Sequence, residues 1–123
     1  MCTRPDRTST ALTSATFDAA VAQEGIVLVC WWADWSGPCR KFRAVFERAS
    51  RDHADLTFAT VDTLAEPALA AANGVTAVPD VMVYRDGILV YAEAAMLSAD
   101  ELDAIIRAAR AVDMATVVSR SQA

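Results

Sequence analysis

Three side chains capable of thiol chemistry stand in this sequence, Cys2, Cys30 and Cys39, and their settings differ. Cys39 closes the run Trp32-Ala33-Asp34-Trp35-Ser36-Gly37-Pro38-Cys39-Arg40, between an apolar β-prone stretch and a helix-patterned segment. That placement predicts a strand, a tight turn and a cysteine just inside a helix N-terminus. Unpaired amides and the helix macrodipole meet at such an end and favour an anion. A cysteine so placed becomes nucleophilic near neutral pH, its pKa falling from about 8.5 toward roughly 3.5–7.5. Three cysteines at irregular spacing do not make a disulfide framework. His53 has no ligand-spaced partner, so no metal site is expected. No paired histidine and acid accompany Ser36, which excludes a hydrolase reading of that serine.

The elements that must position this run follow from periodicity. Ile26 to Trp32 is a continuous apolar stretch, which fits a strand covered on both faces. Pro38 suits the first position of the next helix, where no N–H is needed. That helix sets Phe42, Val45, Phe46 and Ala49 on one stripe, with Arg40, Lys41, Arg43, Glu47, Arg48 and Arg51 on its other faces. Upstream, Thr13 or Ser14 is expected to cap a helix reaching Gln23 and stopped by Gly25, with a short edge strand near Ser9 to Leu12. Downstream, Leu56 to Asp62 reads as a second strand and Pro67 to Asn73 as a short helix ended by Gly74. Val81 to Arg85 and Ile88 to Ala92 flank Asp86-Gly87, a hairpin signal. Ser98 and Glu101 form a capping box before a last helix whose Leu102, Ile105, Ile106, Ala109 and Val112 face inward. Parallel crossovers come first and an antiparallel hairpin last, so the fold class is α/β with a mixed sheet.

Composition bounds the function. The chain has 123 residues, the size of one domain, and 54% of them are hydrophobic, enough for a core without metal or disulfide staples. A net charge of −5 and an isoelectric point near 4.7 argue against nucleic acid or an anionic membrane as partner. Arg4 and Arg7 precede no apolar run of about 7–15 residues, so no secretory signal is read, and no stretch is long enough to span a bilayer. A cytoplasmic protein is expected. The reading divides the chain into a lead-in at 1–8, a domain at 9–113 and a tail at 114–123.

The residues around Cys39 resemble the thioredoxin family, whose motif is Trp-Cys-Gly-Pro-Cys between the first long strand and the second helix. The likeness continues through Val61-Asp62-Thr63, Gly74-Val75-Thr76-Ala77-Val78-Pro79 and the Asp86-Gly87 hairpin. It implies a thioredoxin fold: a central mixed β-sheet flanked by helices on both faces, with a cis-proline, Pro79, before the late hairpin. It also implies a groove formed by Trp35, Gly37, Pro38, Val78, Pro79 and Ala95 that takes substrate peptide as an extended strand. Partners would be proteins or peptides with disulfides or extended segments, and thioredoxin reductase. No cofactor is implied.

The departures fall on the functional positions. The family's attacking cysteine corresponds to Ser36, whose hydroxyl does not ionise at neutral pH and cannot carry thiolate exchange. Cys39 matches the resolving cysteine. The buried aspartate corresponds to Cys30, its lysine partner to Thr60, the kinking proline of the second helix to Ala44, the groove glycine to Ala95, and the threonine after the cis-proline to Asp80. Cys30 reads most simply as an apolar replacement for a costly buried carboxylate. A sharper expectation pairs Cys30 with Cys39 in a disulfide if their Cα atoms lie within about 7 Å. Asp80 beside the groove is expected to repel acidic partners and raise the pKa of a nearby thiol. Trp31 and Trp32 read as core, Asp34 and His53 as solvated, and Cys2 as a terminal thiol without function.

Three functions follow. The first is a thiol–disulfide protein with an atypical single-cysteine site at Ser36-Gly37-Pro38-Cys39 and impaired or altered reductase activity. The second is a binding module that keeps the groove and performs no chemistry. The third is an ordinary two-cysteine reductase carrying a serine substitution at position 36. The company of Cys30, Thr60, Ala44 and Ala95 points away from the third and toward natural divergence.

Overall fold

The computed structural model describes residues 9–112. The lead-in, Cys2 and the tail assigned from sequence lie outside the described residues. Within them the chain order is β1 (Thr10–Ala11), α1 (Phe17–Val21), β2 (Ile26–Trp32), α2 (Gly37–Asp52), β3 (Thr57–Asp62), α3 (Pro67–Ala72), β4 (Asp80–Arg85), β5 (Ile88–Glu93) and α4 (Ala99–Ala111). The five strands form one sheet in the order β1-β3-β2-β4-β5. β3 runs parallel to both β1 and β2, whereas β4 is antiparallel to β2 and to β5. The mixed sheet expected from the sequence is therefore present, and β2 lies at its centre.

Successive strand residues point to opposite faces, and the core divides accordingly. Leu28 and Cys30 of β2, with Val81 and Val83 of β4, pack against Phe42 and Phe46 of α2 and Leu102 and Ile106 of α4. Val27, Val29 and Trp31, with Met82 and Tyr84, pack against Phe17 of α1 and Ala70 of α3. Helices thus cover both faces, which is why β2 reads as an unbroken apolar run.

Two placements differ from the sequence reading, the start of α1 and the position of Pro38. α1 starts at Phe17 rather than after Thr13 or Ser14. The Ser14 amide and hydroxyl both donate to Glu66 Oε1, at 3.0 and 2.9 Å, so the expected cap is committed to the start of α3 instead. Thr13 closes a turn in which Phe17 N donates to its carbonyl at 2.9 Å. Pro38 occupies the second helical position of α2, because Gly37 precedes it inside the helix. The hairpin turn has positive φ at both central residues, 52° at Asp86 and 84° at Gly87, matching the twist of the strands it joins. Asp86 also ties this turn to the start of β2, accepting from Gly25 N and donating its amide to Gly25 O, each at 2.8 Å.

α4 carries the capping box expected from Ser98 and Glu101. Its C-terminal carbonyls at Ala109, Arg110 and Val112 accept from Arg85 Nη1 at 2.8–3.0 Å, a cation placed where the macrodipole is negative. α2 and α4 are joined at their ends by His53 Nε2 with Asp103 at 3.0 Å and by Arg110 with both carboxylate oxygens of Asp55. His53 is therefore engaged with α4 and not simply solvated.

Candidate active site

β2 delivers the chain to a turn at residues 33–36, where Ser36 N donates to Ala33 O at 3.2 Å. The turn leads directly into α2. Ser36 is the N-cap: its backbone is extended, and its hydroxyl accepts from Cys39 N at 3.3 Å. Serine is among the preferred N-cap residues because its short oxygen reaches an amide left unpaired in the first turn. Ser36 therefore caps α2 where the turn enters the helix. Arg40 braces the turn from the helix side, Nη1 donating to Asp34 O at 2.7 Å.

Cys39 lies at the third position of α2, 4% exposed, and Cys30 lies mid-strand in β2, also 4% exposed. Both are free thiols, so the expected Cys30–Cys39 disulfide is not formed in this structure. Cys30 pairs directly across the sheet with Thr60 of β3 and with Val81 of β4. Burial is the main cause pushing the Cys30 thiol far above its ordinary value; Cys39, Asp80 and Glu47 push the same way. At neutral pH Cys30 is a protonated, apolar-lined group and no competitor for nucleophilic attack.

The other expected site residues fall around the same end of the sheet. The Val78-Pro79 bond is cis, Pro79 is buried and Val78 half-buried, at the entrance to β4. Trp35 is 68% exposed, an uncommon state for so large a ring. Gly37 is half-buried, Pro38 exposed, and Ala95 half-buried against the α2/α4 core. Ala44 faces solvent within an uninterrupted α2. Among the described residues no group of His, Cys, Asp or Glu could hold a metal ion, and no helix is long and apolar enough to cross a membrane.

These features are those of a known family. The thioredoxin family profile matches residues 8–108. The chain belongs to the thioredoxin family. It is 40% identical over 103 residues to the putative thioredoxin 2 of Streptomyces coelicolor, covering 84% of this chain and 77% of that protein. It is 31% identical over 96 residues to the thioredoxin of Listeria monocytogenes, covering 77% of this chain and 92% of the relative. Among solved structures, a mutant thioredoxin from Halobacterium salinarum superposes with a TM-score of 0.78 at 26% identity, over 91% of this chain and 98% of that one. At family level, then, this is a thioredoxin-like thiol–disulfide protein.

Three features of this thioredoxin site escaped the sequence reading. The capping role of Ser36 was legible in principle, since a serine preceding Gly-Pro at a helix start is an N-cap pattern. The guanidinium of Arg43, 5.9 Å above the Trp32 ring, had no local sign, because the two residues belong to different elements. Asp80 is the third. It is 7% exposed and opposite Trp31 in the β2–β4 register, hence on the α1/α3 face of the sheet, turned from the face that holds Cys30. Its Oδ1 and the Trp31 indole Nε1 are buried without a hydrogen-bond partner. Desolvation raises the Asp80 carboxyl above the ordinary carboxylate range. Asp80 does contribute to raising Cys30, as anticipated, but through the sheet rather than from the groove.

Proposed function

We propose that this thioredoxin performs thiol–disulfide exchange through one cysteine, Cys39, with a protein-disulfide reductase activity well below that of a two-cysteine site. The observation that carries this reading is the Ser36–Cys39 cap. A hydroxyl occupies the position of the family's attacking sulfur and is engaged with the Cys39 amide, leaving one thiol at the α2 N-terminus. Exchange needs a thiolate that attacks sulfur and a second thiol that resolves the mixed disulfide. Cys39 supports the first step as the thiol that stands in the first turn of α2. The second step then depends on an external thiol. Substrates of this reading are protein or peptide disulfides presented along Trp35, Val78 and Pro79, with thioredoxin reductase as the family's usual partner.

Insulin reduction in dithiothreitol tests the proposal. The protein is expected to show slow turnover that Cys39→Ala abolishes, while Ser36→Cys raises the rate by on the order of tenfold or more, as a second thiol within reach restores intramolecular resolution. Turnover that survives Cys39→Ala would sink the reading. A second reading is favoured by the exposed Trp35 ring at the same end of the sheet as the cis Val78-Pro79 peptide. This surface fits an extended peptide without chemistry. No turnover alongside measurable peptide binding would select it.

A further inference from the structure

A cavity of about 270 Å³ borders Cys39, and none of Trp35, Val78, Pro79 or Ala95 lines it. Its floor is made by the cross-strand pair Cys30 and Thr60, and Cys39 and Phe46 of α2 form one wall. Both floor residues are short. Because Thr60 lines the cavity, a longer side chain at that position would reduce it.

The rim bears charges of both signs. Arg40 and Arg43 stand on α2, with Asp34 from the turn and Glu47 one helical turn further on. Arg43 lies over the Trp32 ring, and Arg40 is held against the Asp34 carbonyl. Glu47 accepts from Ser9 Oγ at 2.6 Å. Between these charges the lining is sulfur, aromatic ring and methyl. The volume is below the usual range of about 300–1,000 Å³ for drug-sized ligands, so it suits a molecule of amino-acid to dipeptide size and not a polypeptide strand.

We propose that this cavity binds a low-molecular-weight disulfide or thiol of the amino-acid type, bearing carboxylate and ammonium groups, and presents its sulfur to Cys39. The inference rests on Cys39 as the redox group and adds the external partner which that reading requires. The Cys39 thiolate attacks one sulfur of RS–SR; the Cys39–SR bond forms, the RS–SR bond breaks, and RS⁻ leaves and is protonated by solvent. Cys39 is oxidised and the departing sulfur reduced. When RS⁻ instead forms the Cys39–SR bond by displacing a protein thiolate from a Cys39–protein mixed disulfide, a second RS⁻ attacks the ligand sulfur, forming RS–SR and releasing Cys39 as thiolate. Two RS⁻ are then oxidised and one protein disulfide is reduced. Ser36 takes part in neither step. A carboxylate meets Arg43 or Arg40, and an ammonium meets Asp34 or Glu47.

The test compares three small disulfides: cystine, with both charges; cystamine, cationic; and 3,3′-dithiodipropionate, anionic. Mixed-disulfide formation at Cys39 is followed by intact mass and peptide mapping, and each rate is divided by that of the urea-unfolded chain to remove intrinsic reactivity. Cystine is expected to exceed both others by about fivefold, the scale of one partly screened ion pair. Arg43→Ala should lower the cystine and dithiodipropionate rates by about the same factor while sparing cystamine. Thr60→Met, confirmed folded by circular dichroism, should slow all three. Equal normalised rates for the three disulfides, or rates unmoved by both substitutions, would overturn the inference. Iodoacetamide labelling separates the two levels of failure. A Cys39 that reacts with iodoacetamide but with none of the disulfides overturns the cavity assignment alone. A Cys39 inert to every reagent overturns the single-cysteine reading together with it.

Discussion

The two faces of the sheet handle buried polarity in opposite ways. On the α2/α4 face the buried polar-capable groups next to β2 are thiols, at Cys30 and Cys39, and the position across from Cys30 is a neutral threonine. On the α1/α3 face a carboxylate, Asp80, and an indole N–H, Trp31, are buried with unpaired atoms. A thiol tolerates a dry environment because its neutral form packs as a small hydrophobe. An unpaired carboxylate does not, since burial penalises its charge whether or not it takes part in chemistry. The thiol face thus buries groups that are neutral when protonated, whereas the carboxylate lies across the sheet, where its charge still raises Cys30.

The largest effect expected from probing this contrast lies on the thiol face. Phe46 is 1% exposed, meets Phe42 at a tilt and Phe58 edge-to-face at centroid distances of 6.0 and 5.3 Å, and borders the cavity. Phe46→Ala should cost about 3–5 kcal/mol in urea unfolding, as for other buried aromatic truncations. A loss under about 1 kcal/mol would mean that this face is held by something other than apolar packing.

Next in size is Asp80. Asp80→Asn should stabilise the protein at pH 7 by on the order of 1 kcal/mol, because it removes a charge that burial penalises, although the amide still lacks a hydrogen-bond partner. The sign of its pH dependence follows from linkage. A raised native-state pKa means that the folded protein holds the proton more tightly than the unfolded chain. The stability Asp80 lends is therefore complete below the ordinary carboxylate pKa and is lost as pH rises through the raised value. The advantage of the asparagine variant should accordingly shrink as pH falls toward about 4. An advantage independent of pH would break the comparison, because charge would then not be its cause.

The smallest effect belongs to Cys30. Replacing it with valine, close in volume and apolar, should change stability by less than about 1.5 kcal/mol. A larger loss would show that the buried thiol is specifically required and is more than a tolerated hydrophobe.

Much of the fold was legible without coordinates. The unbroken run at Ile26–Trp32, the Asp86-Gly87 turn and the Ser98–Glu101 box are local codes, and each does in the structure what its pattern implies. α1 was misjudged because Ser14 had a non-local partner, Glu66, 52 residues away. The site divides along the same line. Ser36, Gly37, Pro38 and Cys39 are contiguous, so the turn, the cap and the lone thiol at a helix start are written in one short segment.

Sequence by itself determined that Ser36-Gly37-Pro38-Cys39 sets a single thiol at a helix start, since that is a matter of residue type at a fixed spacing. Only the tertiary structure decided what surrounds Cys39. The parallel register of β2 and β3 sets Cys30 beside Thr60, the antiparallel register of β2 and β4 turns Asp80 to the far face, and the packing of α2 leaves a cavity between them. Register and packing depend on which surfaces meet, and residues that are distant along the chain carry no local mark of their future neighbours.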